Sequence, residues 1–351
     1  MAALTRLERA AIAAAVVLTA LAGVARYSGW GSLLAFALAT VALAALAWIV
    51  SFGTEQLGER FGPGVTGLLQ STLGNLPELF VVLFALNAGE VTVAQTALVG
   101  SVFANGLLVL GLVVVVGARQ APDGVMRFRQ RLPRDTATLM LLTSFIIVLV
   151  GLSAGSGDRA SHHVKAISTI AAALLLLVYL SWVVPYARED TLPHPGARPR
   201  LGLAFALSLL ALAAVGSAFV SDWFVHALAP AIHKLGVSRA FAGLVIVAIA
   251  GNAVEHVAGI ALAAKGHADL AISVVKNSVV QIAAFLFPLL VIASLAFSKP
   301  LTFSLAPVFA GALALTAIAM WQITDDGEGR TYEGWALIAT YAILATITLY
   351  E

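Results

Sequence analysis

The sequence predicts an all-α polytopic membrane protein of about eleven transmembrane helices, one extra N-terminal helix followed by two inverted five-helix repeats. Three observations predict it. The 351 residues are 60% hydrophobic and only 11% charged, where a soluble domain carries about a quarter charged residues. Apolar runs of about twenty residues, the length that crosses a hydrocarbon core, follow one another from end to end. A short polar motif also recurs at a fixed distance, at the two places where an acid falls inside such a run.

The runs cover residues 10–25, 31–52, 64–87, 91–117, 134–154, 163–187, 200–222, 238–264, 269–297, 301–322 and 332–350. The first, led by Arg6 and Arg9, also suits a signal peptide with LAGVA as its cleavage region. It leads straight into the next span, which favours a retained helix. The third run is interrupted by GNLPE (residues 74–78) and the eighth by GNAVEH (residues 251–256). Between the fourth and fifth lies the basic segment RFRQRLPR, read as a topology anchor. Between the sixth and seventh lies YAREDTLPHPGARPR, whose Pro193, Pro195 and Pro199 suit a hinge.

Charge counting sets the orientation. Of the 20 Lys and Arg, thirteen fall on the side of the N-terminus. Six fall opposite (Arg26, Arg159, Lys165, Lys234, Arg239 and Lys299), and Lys276 lies inside a span. The excess predicts a cytoplasmic N-terminus and, with an odd span count, an external C-terminus. The expected location is a cell membrane, taken as the bacterial cytoplasmic membrane. The net charge of +2 offers nucleic acid no footing. With no cysteine there is no disulfide, thiolate metal site or cysteine nucleophile. HExxH is absent too, so the chain is expected not to be an enzyme and to need no cofactor.

Of the 18 Asp and Glu, all but Glu78 and Glu255 fall in loops, at span ends or at the termini. Glu78 and Glu255 are 177 residues apart, as are Gly74 and Gly251, and Asn75 and Asn252. The same spacing, without a gap, sets Gly89 on Gly266, Ala94 on Ala271 and Ser101 on Ser278. Each acid is therefore followed by a serine 23 residues on. Spans 2–6 match spans 7–11, and an odd-numbered unit enters the membrane upside down in its second copy. The predicted divisions are an extra helix over residues 1–30, a first repeat over 31–187, a hinge loop over 188–200 and a second repeat over 201–351.

A carboxylate in hydrocarbon must be protonated, paired or bound to a cation. Asn75 and Glu78 lie three apart, as do Asn252 and Glu255, so each pair shares a helix face. Gly74, Gly251 and Pro77 weaken the local backbone ladder and expose carbonyl oxygens. The result is an all-oxygen set with two negative charges, which suits Ca²⁺ and suits Zn²⁺ or Cu²⁺ poorly. Two facing carboxylates hold either protons or one divalent cation, the mutual exclusion an antiporter needs. His256 could relay protons or simply pack, since adjacent residues point about 100° apart on a helix. Lys276 would repel a cation, and it is read as turned away and snorkelling to the cytoplasmic end of its span.

GNLPELFVVLFAL, VGSVFANGLLVLG, GNAVEHVAGIALAAKGHADLAI and NSVVQIAAFLFP resemble the two signature regions of the calcium/proton antiporters, within the cation/calcium exchanger superfamily. The resemblance covers the two motif regions closely and the eleven-span layout loosely. It implies Ca²⁺ export in exchange for protons by alternating access, with Ca²⁺ and H⁺ as the transported partners. It implies ion-binding roles for Glu78 and Glu255, and places Asn75, Asn252, Ser101, Asn105, Ser278 and Gln281 along the site or its gates. The chain departs from the family where Ala104 and Val279 stand in place of hydroxyl residues, which opens the question of ion selectivity. An acidic helix found between the halves of some relatives is missing. The alternative is an exchanger driven by Na⁺, or one for another cation such as Mn²⁺.

Overall fold

The computed structural model describes residues 4–58, 73–129, 131–189 and 200–351. Its helices are α1 (Arg6–Tyr27), α2 (Ser32–Gly58), α3 (Leu76–Asn87), α4 (Val91–Gln120), α5 (Arg131–Gly155), α6 (Val164–Glu189), α7 (Leu203–Leu235), α8 (Arg239–Gly251), α9 (Ala253–Ala264), α10 (Ala268–Ala296), α11 (Pro307–Thr324) and α12 (Thr331–Leu349). Nine helices among the described residues are long and apolar enough to cross a membrane. The pair α8–α9, bent by 61° at Asn252, makes a tenth, and α3 is the described part of the predicted third span. These segments follow the predicted order. The first half of the third span and most of the hinge loop lie outside the described residues.

One expectation is corrected. The seventh span does not stop at residue 222: α7 runs for 33 residues to Leu235. Asp222, His226 and Pro230 break the run of apolar letters, but Phe224, Val225, Leu228 and Ala231 keep the buried stripe going. Gly236, at φ 67, ends the helix with a left-handed cap. Beside the helices lies one short strand pair. β1 (Val125–Arg127) pairs antiparallel with β2 (Glu328–Arg330).

Local structure repeats at the spacing of the motifs. Leu76–Asn87 and Ala253–Ala264 are helices offset by 177 residues, as are Val91–Phe103 and Ala268–Val280. Each second helix then widens into a π-helical stretch at the same offset, Ala104–Val109 and Gln281–Leu286. The turns between carry Gly89 at φ 78 and Gly266 at φ 79, a backbone region that glycine enters without steric penalty. A third π-helical stretch, Ala242–Val247, precedes the second motif.

The chain divides into two compact units. Unit 1 holds residues up to Ala88, Leu180–Val237 and Ala250–Val254. In it α2 and α7 pack along their lengths, with Phe36 and Phe224 rings 4.9 Å apart. α1 lies beside them, Tyr27 edge-on to Trp223, and Arg200 reaches Glu8 near its start at 3.0 Å.

Unit 2 holds Gly89–Tyr179, Ser238–Ile249 and Glu255–Glu351. Here α4 and α8 touch backbone to backbone. A Cβ on Gly100 would lie 2.5 Å from the Leu244 carbonyl oxygen, and one on Gly243 would collide with the Thr96 hydroxyl. Arg239 pairs with Glu90 at 3.2 Å at one end of the unit. At the other end, Arg129 meets Asp269 beside the β pair. Arg127 bridges Asp123 and Glu328, and its hydrogen bond holds the Asp123 carboxyl below the usual carboxylate range. Each pairing joins loops that an eleven-span alternation puts on one side.

Candidate functional site

The first motif is a break followed by a helix start. Asn75 is a turn residue at φ −84, ψ 6, and α3 begins with Leu76 and Pro77. Proline suits a first turn because its missing N–H has no partner to lose there. Glu78 falls in that turn, where a helix favours an acid, and it is buried at 2% exposure. The second motif makes the same break without a proline: α8 ends at Gly251, Asn252 is the turn residue, and Glu255 lies in the first turn of α9.

In unit 1 the two motifs meet. Asn252 Nδ2 donates to Glu78 Oε1 at 3.2 Å, and both side chains are buried. Gly251 lies against the same acid, with a Cβ position 3.9 Å from Glu78 Cβ and Cγ. Asn75 is buried at 5% exposure. A residue the sequence reading missed joins them: Ser221 Oγ of α7 donates to the Pro77 carbonyl at 3.5 Å. Its only sequence signal is a hydroxyl on an otherwise apolar helix face.

In unit 2 Ser278 Oγ donates to Glu255 Oε2, joining the acid to the serine 23 residues on. Ser278 is buried and Glu255 partly so. The serine comes from α10, just before its π-helical stretch, which begins at Gln281. Ser101 and Asn105 occupy the matching part of α4. Both are fully buried, and Asn105 Nδ2 donates to the Ser101 carbonyl at 3.1 Å. Stretches of π-helix are frequent at functional sites because they loosen the regular ladder.

His256 is buried in unit 2, and its Nε2 has no hydrogen-bond partner among the described residues. Lys276 donates to Thr324 Oγ1 at 2.6 Å and is 1% exposed. The ammonium is thus directed to the end of α11. Among the described residues no three His, Cys, Asp or Glu cluster to hold a metal ion. The oxygens on offer are instead carboxylates, amides, hydroxyls and backbone carbonyls, a donor set for a hard cation.

The family model described as "Sodium/calcium exchanger protein" matches residues 31–185 and 205–350. The Ca²⁺/H⁺ antiporter ChaA of Bacillus subtilis is 33% identical, over 90% of this chain and 92% of its own. The Ca²⁺/H⁺ antiporter of Synechocystis is 32% identical, over 92% of each. A vacuolar calcium ion transporter of Schizosaccharomyces pombe is 31% identical, over 93% of this chain and 82% of its own. Among solved structures, native YfkE superposes with a TM-score of 0.82 at 27% identity, covering 97% of this chain and all of its own. The H⁺/Ca²⁺ exchanger CAX shares the fold, with a TM-score of 0.73 at 15% identity, over 98% of this chain and 93% of its own.

Proposed function

The chain belongs to the sodium/calcium exchanger protein family, and we propose that it is a secondary active antiporter that moves Ca²⁺ against protons across a membrane by alternating access. Relatives named as Ca²⁺/H⁺ antiporters, aligned over nine-tenths of the chain, support the pair of ions. Glu78 and Glu255 are the ion-binding acids in this reading. Each binds Ca²⁺ or protons in mutual exclusion, and the exclusion couples the two fluxes. The N-terminus lies in the cytoplasm and the C-terminus outside, and Ca²⁺ leaves the cell.

One observation carries the assignment of the acids. Each is held by a polar side chain from a motif region, Glu78 by Asn252 and Glu255 by Ser278. A carboxylate kept only for packing has no need of a polar motif residue as its partner in each copy. A hydrogen bond from an amide or hydroxyl fixes the direction of an acid without neutralising it. The charge is left for a proton or cation to balance. Asn75, Gly74, Gly251, Ser101, Asn105 and Gln281 supply further oxygens around the ion or its gates, and His256 serves the proton side.

The test is ⁴⁵Ca²⁺ uptake by purified protein in liposomes, with either a proton gradient or a Na⁺ gradient imposed. Uptake driven by the proton gradient is expected. Uptake driven by Na⁺ alone would replace the proton with Na⁺, and Mn²⁺ competition measures selectivity in the same assay.

A further inference from the structure

α7 turns one stripe into unit 1: Ala206, Leu210, Ala213, Ser217, Ser221, Phe224 and Leu228, all buried. Five are apolar, and two are serines one turn apart. Ser221 holds the Pro77 carbonyl, the backbone group next to Glu78. Ser217 is 0% exposed, yet its Oγ has no hydrogen-bond partner among the described residues. A helical hydroxyl usually bonds the carbonyl four residues back, as Thr40, Thr54 and Thr143 do in this chain. Ser217 forgoes even that bond.

A buried hydroxyl without a partner is unfavourable in an apolar surrounding. The stripe carries alanine at 206 and 213, so alanine fits its packing and no hydroxyl is needed for contact alone. We propose that Ser217 and Ser221 line a water-holding step beside Glu78, through which protons reach that carboxylate. The two hydroxyls lie one turn apart on the same buried stripe, and with the Pro77 carbonyl that Ser221 holds they make three polar groups, within the range of about two to four that hold a buried water. A serine hydroxyl both donates and accepts, so it passes a proton along without gaining charge. The proton moves from water to the Glu78 carboxylate and returns by the same atoms, with no other bond made or broken. The proton traffic rests on the exchange reading above; the hydration does not.

The chain has no cysteine, so single-cysteine variants report directly. Ser217→Cys and Val220→Cys are compared in liposomes with a charged, membrane-impermeant methanethiosulfonate. Val220 is also 0% exposed in α7. Ser217→Cys is expected to react at least ~10-fold faster, because a hydrated thiol ionises to the thiolate that attacks the reagent's sulfur and expels methanesulfinate. Should that variant fail to fold, Ser221→Cys is read the same way. Serine-site cysteines as unreactive as Val220→Cys would overturn the proposal. Ser217→Ala is expected to slow proton-driven Ca²⁺ uptake several-fold at unchanged KM, and Ser217→Thr to restore it. A raised KM at unchanged kcat would assign the hydroxyls to Ca²⁺ and overturn the proton step. Fast labelling with uptake indifferent to a proton gradient would sink the exchange reading and leave the hydrated step standing.

Discussion

Asn252 donates its side-chain amide to Glu78 at 3.2 Å, across 174 positions of chain. The amide belongs to the second copy of the motif and the acid to the first. The bond therefore ties the two copies together at the group on which transport is proposed to depend. Glu78→Gln keeps the volume and an acceptor oxygen for Asn252, so stability should change by less than about 1 kcal/mol. Ca²⁺ uptake should nonetheless fall at least ~100-fold, because an amide takes neither a proton nor a cation's charge. Uptake at the normal rate in a folded Glu78→Gln protein would remove the central assignment.

The other end of the same bond gives a separate prediction. Asn252→Leu takes one donor from a buried acid and should lower stability by roughly 1–3 kcal/mol. Combined with Glu78→Met, which removes the acceptor, the two losses should not add, since both touch one contact. Thermal unfolding of the two single variants and the double variant measures the coupling. Strict additivity would mean that the bond contributes nothing.

The acids are legible in the sequence because a charge inside an apolar run stands out, and a fixed spacing then pairs them. Ser278 is legible for the same reason, as the serine that follows Glu255 at the distance Ser101 follows Glu78. Other contacts leave no such trace. Ser221 and Pro77 are 144 positions apart, and Lys276 and Thr324 are 48 apart. Each involves a hydroxyl that is one of many small residues on an apolar helix, and hydropathy periodicity does not see it. The β pair is hidden by its length: VMR and EGR are too short to alternate, and they pair only because two loops of unit 2 end side by side. The extent of α7 is hidden because a run of apolar letters ends before the apolar face does.

Close helix contact in unit 2 can be tested at Gly100. An added methyl would lie 2.5 Å from both Leu244 Cα and its carbonyl oxygen, atoms of a backbone that cannot rotate aside. Gly100→Ala should therefore destabilise by about 3 kcal/mol, the upper part of the usual overpacking range. Gly155→Ala meets nothing within 4 Å and should be neutral or gain a few tenths to about 1 kcal/mol from helix propensity. Equal unfolding temperatures for the two variants would contradict the packing described for α4 and α8.

The last prediction concerns Lys276, a buried cation of α10. Lys276 donates to Thr324, whose own hydroxyl donates to the Met320 carbonyl. Removing the acceptor and removing the charge are therefore unequal changes. Thr324→Val deprives a buried ammonium of a hydrogen bond, a loss of about 1.5–3 kcal/mol for a charged donor. Lys276→Met fills a similar volume and withdraws the charge together with its desolvation cost, so it should destabilise less than Thr324→Val. The double variant should then resemble Lys276→Met rather than Thr324→Val. Because the ammonium is directed to the end of α11, Lys276→Met should also transport Ca²⁺ within about threefold of the parent, as expected of a change that spares the transition state. Lost transport in a stable Lys276→Met protein would put the lysine on the ion's route.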